Sequence, residues 1–87
     1  MEITYSLKAI EDISYWKKSG NKVVQEKISA LIVDITKHPY TGIGKPEALK
    51  YQLSGSWSRK ITRTDRLVYT VNTENNTIEI ETVRGHY

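Results

Sequence analysis

Apolar residues in the first half of the chain recur at the spacing of amphipathic helices. In residues 7–18 an apolar side chain recurs every third residue, and Ser6 just before them is a suitable helix N-cap. In residues 21–37 the apolar positions follow a three-and-four spacing, which is typical of a helix that packs on a core. Gly20 and Pro39 are suited to end these segments. The predicted core-facing stripes are Leu7, Ile10, Ile13 and Trp16, followed by Val24, Ile28, Leu31, Ile32 and Ile35.

The rest of the chain has the pattern of short β-strands. Residues 3–5 read as a first strand, and further strands are expected over residues 49–53, 57–62, 67–72 and 77–84. Asn75 and Asn76 are typical of a tight turn between the last two strands. The order is strand, two helices and an antiparallel meander, which predicts an α+β domain with both helices on one face of the sheet.

Length and composition limit the possible classes of protein. The chain has 87 residues, of which 38% are hydrophobic and 26% charged, values that suit one globular domain with a modest core. It has no cysteine, no apolar run near the roughly 18 residues of a membrane span, and no signal-peptide pattern. We therefore expect a single domain over residues 1–87 in the reducing cytoplasm, with no membrane association.

Positive charge is concentrated in one window of the sequence. The net charge is +3, and residues 45–66 hold six Lys and Arg residues against two acids, which gives +4 in that window. A compact basic patch attracts a polyanion and releases counterions on binding. An ordinary solvated basic surface is the alternative interpretation of the charge alone.

The last predicted hairpin brings several polar residues to one end of the sheet. If it turns near residue 75, paired positions sum to about 150, so Arg66 lies opposite Arg84. His86 and Tyr87 follow directly, and Arg63 lies in the preceding connection at the same end. The strand pattern alone therefore predicts a cluster of cations beside a histidine and a tyrosine.

Two members of this cluster suit chemistry on a phosphodiester. A histidine can donate or accept a proton near neutral pH, which makes His86 a candidate general acid or base. Tyr87 could stack on a base or support His86. Solvated side chains in a frayed tail are the alternative for both residues.

Arg66 and Glu47 add the two other groups that such chemistry needs. The planar guanidinium of Arg66 can bind a phosphate through paired hydrogen bonds, and Glu47 stands as a lone acid in a basic loop, where it could act as a general base. Surface ion pairs are the alternatives, with Asp65 or Glu81 for Arg66, and with Lys45 or Lys50 for Glu47. These residues suggest phosphate chemistry without establishing it.

Metal and nucleotide cofactors are not indicated by the sequence. His38 and His86 are too far apart along the chain to suggest a ligand cluster, and there is no cysteine. Gly42 and Gly44 lack both the spacing and the Lys-Ser/Thr ending of a Walker loop. We therefore expect no cofactor and no metal.

Several separated motifs occur in order along the chain. They are GIGKPEALK at residues 42–50, LSGSWSRKI at 53–61, RLVY at 66–69 and HY at 86–87, with Tyr15 and Trp16 before them. Together they resemble the YoeB/Txe toxins, which belong to the RelE group of ribosome-associated toxins. The resemblance extends over nearly the whole chain, and the ordered series is far more specific than any one motif.

The resemblance implies a fold, an activity and partners. It implies a microbial-ribonuclease-like fold, metal-independent cleavage of mRNA in the ribosomal A site by 2′-hydroxyl attack, inhibition by a YefM-type antitoxin, and a homodimer. By the same resemblance Glu47 matches the general base, Arg66 the transition-state arginine, His86 the general acid and Tyr87 the terminal tyrosine. The residues expected to bind RNA are Lys45, Lys50, Arg59, Lys60, Arg63 and Arg84.

Two positions depart from the family pattern. Lys60 stands where an arginine is common, which keeps the charge but loses the bidentate fork. Gly85 replaces a bulkier residue before the His-Tyr pair, which could loosen the tail that carries His86.

Two other functions stay open at this point. The basic window alone would also suit a non-catalytic nucleic-acid-binding module or repressor subunit, although no helix-turn-helix pattern is present. A degenerate toxin kept as an antitoxin partner or structural subunit is a further possibility, against which the intact candidate residues argue.

Overall fold

One five-stranded sheet with two helices on one of its faces forms the fold of this chain. The computed structural model describes residues 1–85. The elements are β1 (Glu2–Tyr5), α1 (Leu7–Ser19), α2 (Lys22–Lys37), β2 (Glu47–Ala48), a 3₁₀ turn (Tyr51–Leu53), β3 (Ser56–Lys60), β4 (Arg66–Asn72) and β5 (Thr77–Thr82). The strand order is β1-β5-β4-β3-β2. All neighbouring strands are antiparallel except β1, which runs parallel to β5. The predicted α+β class is confirmed.

Local capping explains where the two helices begin and end. The Ser6 hydroxyl accepts a hydrogen bond from the backbone N–H of Ala9 at 3.0 Å, and Asn21 caps α2 in the same way. Gly20 closes α1 in the left-handed conformation, with φ at +72°. The structure therefore confirms both predicted helices to within one residue at each end.

The core-facing stripe predicted for α1 is only partly correct. Leu7 and Ile10 are 81% and 53% exposed, whereas Ala9, Asp12 and Trp16 are buried. An α-helix has 3.6 residues per turn, so positions repeated every third residue drift around its axis and cannot all face one core. Trp16, the last residue of the predicted stripe, does face the core.

Two polar groups on α1 attach the helix to the segment after β5. The Trp16 Nε1–H donates to the carbonyl of Val83 at 2.9 Å. The Asp12 carboxylate accepts the N–H of Val83 at 3.1 Å. Both polar groups of the Val83 backbone are thus satisfied by α1 side chains, as burial demands.

The strand predicted over residues 49–53 is wrong. The paired segment is Glu47–Ala48, and Tyr51–Leu53 forms a 3₁₀ turn instead. Tyr51 has φ at +59°, and the N–H of Leu53 donates to the carbonyl of Lys50 at 3.1 Å. A residue in the left-handed region cannot continue an extended strand.

The last hairpin has the predicted turn with a small change in register. The N–H of Asn75 donates to the Asn72 side chain at 3.0 Å, and Asn76 takes a positive φ. Paired positions sum to 149 from Asn72↔Thr77 to Tyr69↔Ile80. The sum becomes 150 at Val68↔Thr82, after a bulge.

No helix in residues 1–85 is long and apolar enough to cross a membrane.

Candidate active site on the open face of the sheet

The face of the sheet opposite the helices carries two of the candidate catalytic residues. Glu47 pairs with Ser58, and Ser58 pairs with Val68, so these three side chains share one face. Lys60 pairs with Arg66 on the same face, because side chains alternate along β3 and β4. The open face therefore carries Glu47 beside two cations, with Glu79 on the last strand of the same face, while the helices cover the other face.

Strand geometry sets the separation of Glu47 and Arg66. They lie two strands apart, and Arg66 is two residues before Val68 on β4. With the usual strand and residue spacings, their Cα atoms are roughly 12 Å apart. Both side chains are long, so this separation leaves room for a phosphodiester between their charged ends.

A close contact between the loop at Gly44 and the end of β3 positions the chain just before Glu47. The N–H of Lys60 donates to the carbonyl of Gly44 at 2.7 Å, which fastens the loop beside the end of β3. Gly44 has φ at +79°, and a Cβ built there would lie 2.7 Å from Leu31 Cδ2. Only glycine fits this position without displacing its neighbours.

Arg59 is a buried anchor for the loop after α2. It is 0% exposed, and all five of its guanidinium N–H bonds have acceptors. The acceptors, at 2.6–3.1 Å, are the Tyr69 hydroxyl, the Asp34 carboxylate and the carbonyls of His38, Thr41 and Ile43. The expectation that Arg59 contacts RNA is therefore wrong, because no donor is left and the side chain faces the helices.

The same cluster contains two residues that the sequence analysis did not single out. The Tyr69 hydroxyl donates to the carbonyl of Pro39 at 2.6 Å, and burial raises the pKa of its phenol. The hydrogen bond from the Arg59 guanidinium lowers the pKa of the Asp34 carboxyl, which also accepts the N–H of Ile43. Trp57 and Arg59 lie two residues apart on β3, so their side chains point to the same face of the sheet. This alternation in the sequence could have placed Arg59 on the helix side.

At the start of β4, the chain that follows β5 returns beside Arg66. The N–H of Arg66 donates to the carbonyl of Gly85 at 3.0 Å, so Arg66 lies near Arg84 as the strand pattern predicts. The carboxylate of Asp65 accepts the N–H of Gly85 at 2.7 Å and the hydroxyl of Thr62 at 2.7 Å. Partial burial opposes ionisation of Asp65, but hydrogen bonds from Thr62 and Gly85 lower the pKa of its carboxyl overall.

The remaining candidates differ in their positions. Lys45, Lys50 and Arg63 are exposed, and Lys60 is half-buried on the open face. The Arg84 guanidinium lies 3.5 Å from the ring centroid of Tyr15 on α1, so its packing does not support an RNA contact beside Arg66. His86 and Tyr87 lie outside the described residues.

The surface next to Glu47 is concave. A cavity of about 560 Å³ is lined by residues 47–53, so Glu47 and Lys50 contribute to the same wall. Among residues 1–85 there is no group of three or more His, Cys, Asp or Glu side chains that could hold a metal ion. This arrangement offers acid–base and electrostatic groups to a bound anion.

Comparisons with known proteins agree on one family. Residues 5–87 match the model of the YoeB-like toxin of bacterial type II toxin–antitoxin systems. The toxin YoeB of Escherichia coli K12 is 41% identical over 87 residues, which is the full length of both chains.

Solved structures give the same result. A YoeB/ParE toxin from Agrobacterium tumefaciens has a TM-score of 0.95 at 36% identity, over all of both chains. YoeB from Staphylococcus aureus has been solved in a YoeB–YefM complex, with a TM-score of 0.87 at 42% identity, and as a dimer, with 0.88 at 41%. Both comparisons cover all of this chain and 98% of the other. The chain therefore belongs to the YoeB family of toxins of bacterial type II toxin–antitoxin systems.

Proposed function

We propose that residues 1–87 form a single toxin domain that cuts mRNA in the ribosomal A site and thereby stops translation. The observation that carries this proposal is the common face of Glu47, Lys60 and Arg66, which lies beside the segment that leads into His86. A carboxylate and two cations on one surface suit attack on a phosphodiester, because one group can take a proton while the others bind the anion.

The proposed reaction needs one base, one acid and one fixed cation. Glu47 removes the proton of the ribose 2′-hydroxyl, whose oxygen then attacks the adjacent phosphorus. Arg66 holds the charge that develops on the phosphoryl oxygens. His86 protonates the departing 5′-oxygen, and Tyr87 supports this end of the chain or stacks on a base. The products carry a 2′,3′-cyclic phosphate and a 5′-hydroxyl, and no step requires a metal.

The ribosome supplies part of the positioning in this proposal. A carboxylate is a weak base toward a hydroxyl, so Glu47 is effective only when the 2′-hydroxyl is held in contact with it. Four cations are suited to bind the RNA backbone and hold it there. They are the exposed Lys45, Lys50 and Arg63, and the half-buried Lys60 on the open face.

The partners proposed for this chain are an antitoxin and a second copy of the toxin. The family is defined by toxin–antitoxin systems, and the S. aureus relative is solved with YefM and as a dimer. We propose a YefM-like antitoxin and a homodimer for this chain, acting in the cytoplasm where ribosomes translate. An acidic antitoxin segment would complement the basic surface around Lys60.

Cleavage of mRNA on programmed ribosomes by purified variants tests the proposal. Glu47→Gln and Arg66→Ala should each lower the cleavage rate by about 10²-fold or more, since each removes one catalytic group. Glu79→Gln is the matched control, because Glu79 pairs with Thr70 on the same face but has no role in the reaction. It should cleave like the wild type.

Two results would overturn the assignment. Full activity of the Glu47 and Arg66 variants would exclude these residues from the chemistry. Salt-sensitive binding of RNA by the wild type without any strand scission would favour the non-catalytic nucleic-acid-binding module instead.

A further inference from the structure

The segment after β5 is held in place by side chains from two other parts of the molecule. Val83 is fastened to α1 through Asp12 and Trp16. Two residues later, Gly85 is fastened to the turn before β4: its N–H donates to Asp65 Oδ1 at 2.7 Å, and its carbonyl accepts the N–H of Arg66 at 3.0 Å. Strand β5 ends at Thr82, so residues 83–85 are held by these contacts and not by strand pairing.

Asp65 is itself held rigidly by its own turn. Its Oδ2 accepts the Thr62 hydroxyl at 2.7 Å, and its N–H donates to the same hydroxyl oxygen at 3.0 Å. Its carbonyl accepts the N–H groups of Ile61 and Thr62. A carboxylate fixed on both sides in this way presents Oδ1 to Gly85 in one orientation.

The backbone of Gly85 turns sharply where it is held. Its φ is +81°, a conformation that side chains rarely adopt, and a Cβ there would meet nothing within 4 Å. A glycine is therefore favoured at residue 85 by the positive φ of the backbone, and not by a lack of space for a side chain. In the sequence, His86 directly follows this residue.

We propose that Asp65 is a positioning residue that fixes the chain before His86 beside Arg66, and so sets the geometry of the acid relative to the transition-state arginine. This inference rests on the function proposed above. Asp65 directly precedes Arg66 in the chain, and its carboxylate holds Gly85, which directly precedes His86, so one residue couples two of the three catalytic groups. Asp65 itself touches no substrate in this account.

A double-mutant comparison of Asp65 and His86 tests the inference. In single-turnover cleavage on programmed ribosomes, Asp65→Ala should lower the rate about 10- to 100-fold, because a misplaced acid loses most of its effect. In a His86→Ala background the same change should have little further effect, because the group that Asp65 positions is already gone. Affinity for the programmed ribosome should stay within about twofold of the wild type.

Two variants of the same turn serve as controls. Asp65→Asn keeps an oxygen that can accept the N–H of Gly85, and should restore part of the rate lost in Asp65→Ala. Thr64→Ala removes only a 3.3 Å contact to Asp65 Oδ2 and leaves the bond to Gly85, so it should cleave like the wild type. A purely structural role for Asp65 predicts equal losses with and without His86, and that result would overturn the inference.

Hydrogen exchange of the Gly85 amide separates this inference from the proposed function. Asp65→Ala should speed that exchange by at least about tenfold, with no comparable change in the core strands β4 and β5. Unchanged exchange would show that Asp65 does not hold Gly85, and would overturn the inference whether or not the protein cleaves RNA. Cleavage by the wild type that Asp65→Ala leaves unchanged overturns the inference alone, whereas absence of cleavage by the wild type overturns both.

Discussion

Replacing Tyr69 by phenylalanine tests the buried anchor around Arg59. The hydroxyl of Tyr69 accepts the Nε–H of Arg59 at 3.1 Å and donates to the carbonyl of Pro39 at 2.6 Å. Phenylalanine keeps the ring and its packing, so the change isolates these two hydrogen bonds. Arg59 is 0% exposed, and water therefore cannot replace the lost acceptor without rearrangement of the core.

The expected loss of stability follows from the two bonds. A hydrogen bond to a charged group contributes about 1.5–3 kcal/mol, and a neutral one about 0.5–1.5 kcal/mol. Tyr69→Phe should therefore destabilise the protein by about 2–4 kcal/mol, out of a total that is typically about 5–15 kcal/mol. For a domain of this size the melting temperature should fall by at least about 8 °C.

Chemical and thermal denaturation measure this loss directly. Tyr51→Phe is the matched control, because Tyr51 is 89% exposed and its substitution should change stability by less than about 0.5 kcal/mol. If Tyr69→Phe were as stable as that control, the buried hydrogen bonds of Arg59 would not hold the loop after α2, and the reasoning would fail.

The remaining predictions concern glycine, pH and Trp16. Gly42→Ala should destabilise more than Gly55→Ala by at least about 1 kcal/mol in denaturant midpoints. Both glycines have positive φ, but a Cβ at Gly42 would lie 2.0 Å from Asp34 Oδ2, whereas one at Gly55 meets nothing within 4 Å; equal losses would contradict the packing. Because the folded pKa of Asp65 is lowered below its ordinary 3.8, its stabilisation is present above that value and is lost as the pH falls through the lowered one. Melting temperatures from pH 7 to pH 2 should therefore fall less steeply at the acid end for Asp65→Asn, and identical acid slopes would refute this. Trp16→Phe removes the buried bond to Val83 and should cost about 1–3 kcal/mol in the same denaturation assay; no loss would show that the bond is dispensable.

The helices were predictable because their signals are local. Ser6 and Gly20 act within one turn of α1, and periodic apolar residues in α2 report directly on burial. The face of α1 was harder to predict, because a three-residue repeat drifts around the helix. The parallel pairing of β1 with β5 joins distant parts of the chain, and no local pattern indicates it.

The candidate site was predictable only where strand pairing determines it. Alternation along β3 and β4 brings Lys60 and Arg66 to one face, and the hairpin turn brings Arg66 beside Gly85. The burial of Arg59 depends on acceptors from a loop about twenty residues earlier in the chain, which charge patterning cannot reveal. The hold of Asp65 on Gly85 depends in the same way on a contact between distant residues.

Analysis of the ends of mRNA after incubation with programmed ribosomes tests the central claim most directly. The wild type should produce new 5′-hydroxyl ends and 2′,3′-cyclic phosphates within the A-site codon, and naked mRNA should stay largely intact. His86→Ala should leave the message uncut at the same protein concentration. Intact mRNA with the wild type, or ends that carry a 5′-phosphate, would contradict attack by the 2′-hydroxyl with catalysis by Glu47, Arg66 and His86.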